Sequence, residues 1–289
     1  EAQIFVVKPS QPIVQIAQNL KEAGLIKNAF AFRLLVAQMG IGKSIQAGDF
    51  RLSPHRTSQE IAQELTHGAI DIWITFPEGI RVEEMADIIE AKLKIPANVA
   101  YAFDKQEFIK LAREGYMFPD TYLIPKDTSA QAVVDRLTQT FNQKVDQKLL
   151  KSDRLSPAEI ITLASLIERE AKINEERPII AGILMNRFNA GIALQVDATV
   201  QYAKGYDAAS DSWWPQVSPQ DYLRVKSLYN TYLHPGLPPT PIANPGITSI
   251  RAAASPADTN YLYYLHDSDG KIHYAETIEE HNQNIGEFL

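Results

Sequence analysis

One acidic side chain stands out because its place on a predicted helix turns it toward apolar neighbours. Ser156 and Glu159, with a proline between them, are typical of a helix N-terminus with a capping box. Apolar residues then recur at helical spacing, and Glu168 falls within their stripe, whereas Glu170 lies nearer its edge. A carboxyl group against an apolar wall has a raised pKa and can act as a general acid near neutral pH. An ion pair with an arginine such as Arg187 is the commoner explanation of an inward-facing carboxylate.

A second group of polar residues follows this helix in segments with many turn-forming residues. They are Gln195 and Asp197 in a predicted extended run, and Asn230, Tyr232 and Asn244 in loops. A long segment with little regular structure is often a binding surface. For each of these side chains, a loop-closing hydrogen bond and a contact with a ligand explain the pattern equally well.

The composition excludes several kinds of site and partner. The chain has 289 residues, a net charge of -7 and no cysteine, so disulfides, thiolate metal sites and cysteine nucleophiles are absent. No basic run could neutralise a nucleic-acid backbone. The 6 histidines include no H-E-x-x-H motif and no pair four residues apart, and we predict no metal site. No apolar stretch is long enough to span a membrane.

The N-terminal part of the chain repeats a short strand followed by an amphipathic helix three times. The strands are predicted at 5–7, 50–52 and 73–76, and the helices around 16–20, 61–65 and 85–89. Because such units cannot bury their apolar faces alone, they must pack together. The sequence therefore predicts a small α+β domain over residues 1–95, followed by a connector over 96–128 that is rich in proline and aromatic residues.

The second predicted domain, residues 96–289, is mainly helical and ends in a β-hairpin. Its helices are predicted at 129–149, from 157 through the Glu168 segment, at 176–190 before Gly191, and near 250–254. Residues 261–265 and 271–275 form the hairpin around Asp269 and Gly270. The predicted fold class of the whole chain is α+β.

Five ordered motifs carry a resemblance to a known family. They are E-G-Y-M-F-P-D-T-Y at 114–122, L-A-S-L-I-E-R-E at 163–170, L-Q-V-D-A-T-V at 194–200, Y-N-T-Y at 229–232 and G-L-P-P-T-P-I-A-N-P-G at 236–246. With the tail around His281 and Asn282, they resemble the YceG-like endolytic murein transglycosylases (MltG) over about residues 48–285.

The resemblance implies the architecture and location of the protein. The N-terminal domain is expected to be similar to LysM, a peptidoglycan-binding βααβ unit, over Asp49 to Phe76. Family members have an N-terminal membrane helix and act outside the cytoplasmic membrane. Since the sequence starts at Glu1 without an initiator methionine, we expect an anchor segment to precede it and the protein to lie on the extracytoplasmic face of the bacterial cytoplasmic membrane.

The resemblance also implies a reaction. Glu168 would be the catalytic residue for cleaving, without water, the β-1,4 bond between N-acetylmuramic acid and N-acetylglucosamine, which leaves 1,6-anhydro ends. Gln195, Asp197, Asn230, Tyr232 and Asn244 are the expected substrate-binding residues. No metal or organic cofactor is implied. The expected partners are peptidoglycan strands and peptidoglycan synthases, and no nucleic acid.

Two other functions remain open at this stage. The first is a hydrolase of the same substrate, in which Asp197 or Glu170 activates a water molecule. The second is a scaffold without activity that binds peptidoglycan through the N-terminal repeats. Reducing ends in the digested polymer would indicate the hydrolase, and binding without turnover would indicate the scaffold.

Overall fold

The computed structural model describes residues 2–8, 10–66, 71–93, 103–126 and 128–289. The chain divides into two units, each assembled from three segments. The first unit contains Glu1–Thr75, Ala86–Phe108 and Thr121–Val133, and the second contains Phe76–Met85, Ile109–Asp120 and Val134–Leu289. The predicted boundary between residues 95 and 96 lies outside the described residues.

The first unit is built on a four-stranded antiparallel sheet with the strands in sequence order. Its own elements are β1 (Gln3–Val7), α1 (Ile13–Glu22), α2 (Ala29–Gln38), β2 (Gly48–Leu52), α3 (Ser58–Glu64), β3 (Asp71–Thr75) and β4 (Thr121–Pro125). Leu20, Phe32, Phe50, Ile61 and Leu65 are fully buried in its core. Three further helices contribute residues to both units. They are α4 (Val82–Leu93), α5 (Lys105–Leu111) and α6 (Ala130–Lys144).

The predicted strand and helix repeats are confirmed, since β1 precedes α1, β2 precedes α3 and β3 precedes α4. Two elements of the first unit were not predicted. Helix α2 is apolar on most sides and lacks a clear helical period, and β4 falls in the predicted connector, which also holds α5. The expected LysM-like segment, residues 49–76, has only one helix among its described residues, whereas a βααβ unit has two. That order of elements occurs instead over Gln3–Leu52.

Helix α7 (Pro157–Glu170) is the centre of the second unit. Its N-terminus has the predicted capping box between Ser156 and Glu159. Its eight residues from Ile160 to Ile167 are all buried, which is typical of a helix packed on every side. The other elements of this unit are α8 (Arg177–Asn189), α9 (Asp197–Lys204), α10 (Asp221–Arg224), α11 (Ile247–Ala254), β5 (Tyr263–His266), β6 (Ile272–Ala275) and α12 (Ile278–Phe288).

Most sequence-based predictions for the second unit are confirmed, and one is wrong. The helix before Gly191 and the hairpin around Gly270 are present, with both glycines at positive φ. The extended run predicted for Gln195 and Asp197 is wrong at Asp197, because this residue begins α9. Helix α12 was not predicted, since its sequence is largely polar and none of its residues is buried. Among the residues that the structure describes, no helix combines the length and apolarity that crossing a membrane requires.

The packing of α8 gives a test of this fold through two helical glycines. A Cβ atom on Gly182 would lie 2.4 Å from the carbonyl oxygen of Ala257, whereas a Cβ on Gly286 in α12 would have no neighbour within 4 Å. We expect Gly182→Ala to lower the free energy of unfolding by about 1–3 kcal/mol because the backbone must move. Gly286→Ala is the matched control and should raise the free energy of unfolding by up to about 1 kcal/mol, because alanine favours a helix more than glycine does. Chemical denaturation measures both, and equal effects would contradict this packing.

Candidate active site

Glu168 lies in a closed ion pair. Its side chain is 5% exposed, and its Oε1 accepts a hydrogen bond of 2.7 Å from Nη2 of Arg177, which is 9% exposed. Its Oε2 accepts a hydrogen bond of 2.9 Å from the backbone N–H of Gly246 at the start of α11. Arg177 is itself held by Ser249. The predicted apolar wall around Glu168 is therefore wrong, and the paired cation is Arg177 rather than Arg187.

A second carboxyl group belongs to the same network. Burial raises the pKa of Glu78, and the negative charge of Glu168 acts in the same direction. A Cβ atom on Gly246 would lie only 1.9 Å from Oε1 of Glu78, so glycine is required where the loop passes between the two carboxyl groups. This network ties α7, α8 and the start of α11 together.

Glu170, two residues further along α7, lies in a cavity of about 480 Å³. The residues that line this cavity come from α7, α8, α9, α12, the hairpin and the loops between them. They are Glu170, Leu184, Arg187, Leu194, Gln195, Asp197, Tyr232, Leu262, Tyr263, Tyr264, Ile278, His281, Asn282 and Ile285. Three of the five predicted substrate-binding residues, Gln195, Asp197 and Tyr232, are thus together with Glu170, and Glu168 is not among the lining residues.

The surroundings of Glu170 suit a group that gains and loses a proton near neutral pH. Burial raises the pKa of Glu170 to about 7, and the negative charge of Asp197 contributes to the increase. The hydroxyl of Tyr264 on β5 donates a hydrogen bond of 2.6 Å to Oε2 of Glu170, which lowers the pKa in part and fixes the carboxyl group. This cavity, rather than the ion pair of Glu168, has the environment predicted for a general acid.

Asp197 is the second carboxyl group of the cavity. It accepts hydrogen bonds from the hydroxyls of Tyr232, at 2.5 Å, and Tyr222, at 3.3 Å. The two tyrosine rings are stacked with their centroids 4.0 Å apart, so each supports the other. Burial and the hydrogen bond to Asp197 raise the pKa of Tyr232 far above its usual range. The hydroxyl therefore stays protonated and continues to donate to the carboxylate.

Gln195 is positioned by an unusual backbone conformation and by Arg187. Its φ of 57° lies in the left-handed region, which is uncommon for a residue other than glycine and is often found at functional sites. Arg187 is buried, donates a hydrogen bond of 2.5 Å to Oε1 of Gln195, and is fixed by the carbonyl oxygens of Ala193 and Leu262. Sequence reasoning missed this role of Arg187.

The structure does not bring Asn230 and Asn244 to the cavity. Both are fully buried. The amide of Asn230 donates to the carbonyl oxygens of Tyr222 and Val225. Asn244 accepts hydrogen bonds from the backbone of Gly115 and Met117, and donates to Glu114. Both amides therefore close loops, which was the alternative left open for them.

Five of the polar residues that line the cavity were not placed in the site by sequence reasoning. They are Arg187, Tyr263, Tyr264, His281 and Asn282. The last two belong to the tail motif that contributed to the family resemblance, and this was the available signal for them. Burial lowers the pKa of His281, and the charge of Arg187 acts in the same direction, so the imidazole is neutral at neutral pH. In the described part of the chain, no cluster of three or more acidic or histidine side chains could hold a metal ion.

The sequence model of the YceG-like family matches residues 5–287. The chain belongs to the YceG-like family. The resemblance predicted from the five motifs is confirmed by this match, which covers both units.

Two named relatives and one solved structure are similar to this YceG-like chain. A Bacillus subtilis protein named endolytic murein transglycosylase is 34% identical over 93% of this chain and 79% of its own length. A protein of the same name from Streptococcus pneumoniae (serotype 2, strain D39) is 25% identical over 96% of this chain, which spans 56% of that relative. A crystal structure of a yceG-like protein from Listeria monocytogenes has a TM-score of 0.68 and 27% identity, with 98% of both chains covered.

The two glutamates of α7 should respond differently to replacement by glutamine in this YceG-like protein. Glu168→Gln leaves the buried Arg177 without a paired charge, and we expect the free energy of unfolding to fall by roughly 3 kcal/mol at pH 8. Glu170 has a raised pKa in the folded state, so its contribution to stability is lost as the pH rises through about 7. Glu170→Gln is therefore expected to stabilise the protein at pH 8.

Urea denaturation of both variants at pH 8 measures these effects. At pH 4, where Glu170 is protonated in the native protein, the gain from Glu170→Gln should disappear. A loss of stability at pH 8 that is the same for the two variants would contradict the different environments of the two side chains.

Proposed function

We propose that this protein is a lytic transglycosylase that cleaves the glycan strands of peptidoglycan, with Glu170 as its general acid and base. The names of the relatives from Bacillus subtilis and Streptococcus pneumoniae support the reaction class. The observation that carries the choice of residue is the cavity, in which Glu170, with a pKa of about 7, lies with Gln195, Asp197 and Tyr232. Glu170 takes the role that the sequence analysis gave to Glu168.

The proposed reaction needs one proton-transferring group. Protonated Glu170 donates its proton to the oxygen that bridges N-acetylmuramic acid and N-acetylglucosamine, and the bond from that oxygen to C1 breaks. The resulting carboxylate then accepts the proton of the muramyl 6-hydroxyl, and the oxygen of this hydroxyl bonds to C1. The product has a 1,6-anhydro end, and Glu170 is protonated again. Because the nucleophile is part of the substrate, its effective concentration is high when the sugar is held correctly.

The other cavity residues supply position and charge in this proposal. Tyr264 fixes the carboxyl group of Glu170 through its hydrogen bond. Asp197, whose oxygens are held by two tyrosines, stabilises the positive charge that develops on the sugar ring as the bond breaks. Gln195, oriented by Arg187, binds polar groups of the sugar.

A second candidate function is hydrolysis of the same bond. The presence of Asp197 in the same cavity as Glu170 favours it, because hydrolytic glycosidases usually use two carboxyl groups. The hydrogen bonds from Tyr222 and Tyr232 occupy Asp197 and argue against its acting as a base for water. The products distinguish the two reactions, since hydrolysis leaves reducing ends.

The first unit and the location of the protein are further parts of the proposal. If peptidoglycan is the substrate, the protein must act on the extracytoplasmic side of the membrane, where this polymer lies. The first unit would bind the polymer as a LysM-like domain, and peptidoglycan synthases would be the protein partners. If only the binding occurs, the protein is a scaffold, which the following measurement also tests.

Replacement of Glu170 tests the proposed chemistry. We expect Glu170→Gln to lower the cleavage rate on purified peptidoglycan by at least about a hundredfold, because the glutamine keeps the shape and hydrogen bonds but cannot donate the proton. Mass spectrometry of the products should find 1,6-anhydro ends with the native protein. Glu168→Gln is the matched control and should retain most of the activity at a temperature at which it remains folded.

Three results would contradict this proposal. Full activity of Glu170→Gln would exclude Glu170 as the acid. Reducing ends from the native protein would support the hydrolase instead. Binding of peptidoglycan without any cleavage by the native protein would support the scaffold.

The pH dependence of cleavage gives an independent test. The free enzyme must hold a proton on Glu170, so kcat/KM should fall as the pH rises through about 7. The hydrogen bond from Tyr264 lowers the pKa of Glu170. Tyr264→Phe should therefore move the alkaline limb of the pH profile to higher pH. A profile that does not change in Tyr264→Phe, or that rises between pH 6 and 8, would contradict this assignment.

A further inference from the structure

Helix α12 forms one wall of the cavity. At 100° per residue, Ile278, His281, Asn282 and Ile285 lie within about 100° of the helix surface, and all four line the cavity. The rest of α12 is fixed to the hairpin. Asn284 donates a hydrogen bond to the carbonyl oxygen of Tyr274 on β6, and the ring of Phe288 stacks on His273 with 3.7 Å between centroids.

The side chains on this wall have unused binding capacity. Ile278 and Ile285 are 45% and 41% exposed, which is high for large apolar side chains that face a cavity. Asn282 is exposed, and its side chain makes no hydrogen bond to the residues that the structure describes. Nδ1 of His281 is buried and also has no hydrogen-bond partner among them. The wall thus combines apolar surface with the unpaired side-chain amide of Asn282.

We propose that Ile278, His281, Asn282 and Ile285 form a subsite for the N-acetyl group of a bound sugar. The inference rests on the proposed function, in which the substrate is an N-acetylated glycan. The methyl group of the acetamide would contact the two isoleucines, and its carbonyl oxygen would accept a hydrogen bond from Nδ2 of Asn282. His281 lines the cavity beside this amide.

Contacts with the acetyl group can be distinguished from the effect of charge on sugar binding. Asp197 and Arg187 line the same cavity and carry opposite charges, and Glu170→Gln removes the charge of the other carboxyl group. A sugar without its acetyl group carries a free, positively charged amine. Substitutions of Asn282 and Ile285 leave the charges of the cavity unchanged, so a preference for the acetylated sugar that they abolish comes from contacts with the wall on α12.

The experiment compares two tetrasaccharides, one with all four amines acetylated (tetra-N-acetylchitotetraose) and one with none (chitotetraose). Calorimetry measures their binding to the full chain with Glu170→Gln, which prevents turnover. We expect this parent to prefer the acetylated sugar. Adding Asn282→Ala or Ile285→Ala should weaken binding of the acetylated sugar about fivefold or more. Binding of the sugar without acetyl groups should not change. Ile173→Ala is the matched control, because Ile173 is 54% exposed and does not line the cavity.

Several outcomes would overturn the subsite. They are a parent that binds neither sugar or prefers the free amine, variants that bind both sugars as the parent does, and variants that lose affinity for both equally. Cleavage of peptidoglycan by the native protein is measured separately. Cleavage without a preference for acetylated sugar would refute the subsite alone, whereas the preference without cleavage would refute the proposed function alone.

Discussion

The unequal charge compensation of two buried carboxyl groups on one helix underlies the arrangement of the whole site. Glu168 meets a guanidinium and a backbone N–H, which compensate its charge and join three helices. Glu170 meets a phenol hydroxyl and a second carboxylate, so its charge is only partly compensated. The first side chain holds α7 in place, and the second is left with a proton that it can exchange near neutral pH. The last turn of α7 thus carries one glutamate that contributes to packing and another that lines the cavity.

The sequence predicted the helix that carries this site but not which of its glutamates meets a cation. The capping residues and the apolar spacing of α7 are local features, and both are confirmed. The ion pair depends on Arg177, which lies on the following helix, and the spacing within α7 contains no information about it. The resemblance placed the catalytic role on Glu168, two positions from the side chain that the cavity favours. Periodicity gives the direction of a side chain, whereas its partner is a tertiary property.

The loops and the tail were harder to predict for physical reasons. Asp197 was expected on one side of a short extended run, yet it begins α9. Asn230 and Asn244 satisfy backbone groups of neighbouring loops, a use that residue type alone does not separate from ligand binding. Helix α12 buries none of its residues, so it lacks the apolar stripe by which most helices are recognised. Its position depends on contacts with a hairpin that was itself correctly predicted.

That hairpin connects Glu170 to the wall that α12 forms. Strand β5 carries Tyr264, which holds Glu170, and β6 carries the carbonyl oxygen and the imidazole ring to which α12 is attached. Because both attachments are on one hairpin, a displacement of its two strands would change the hydrogen bond to Glu170 and the position of α12 together. The pKa of Glu170 and the width of the cavity therefore depend on the same two strands.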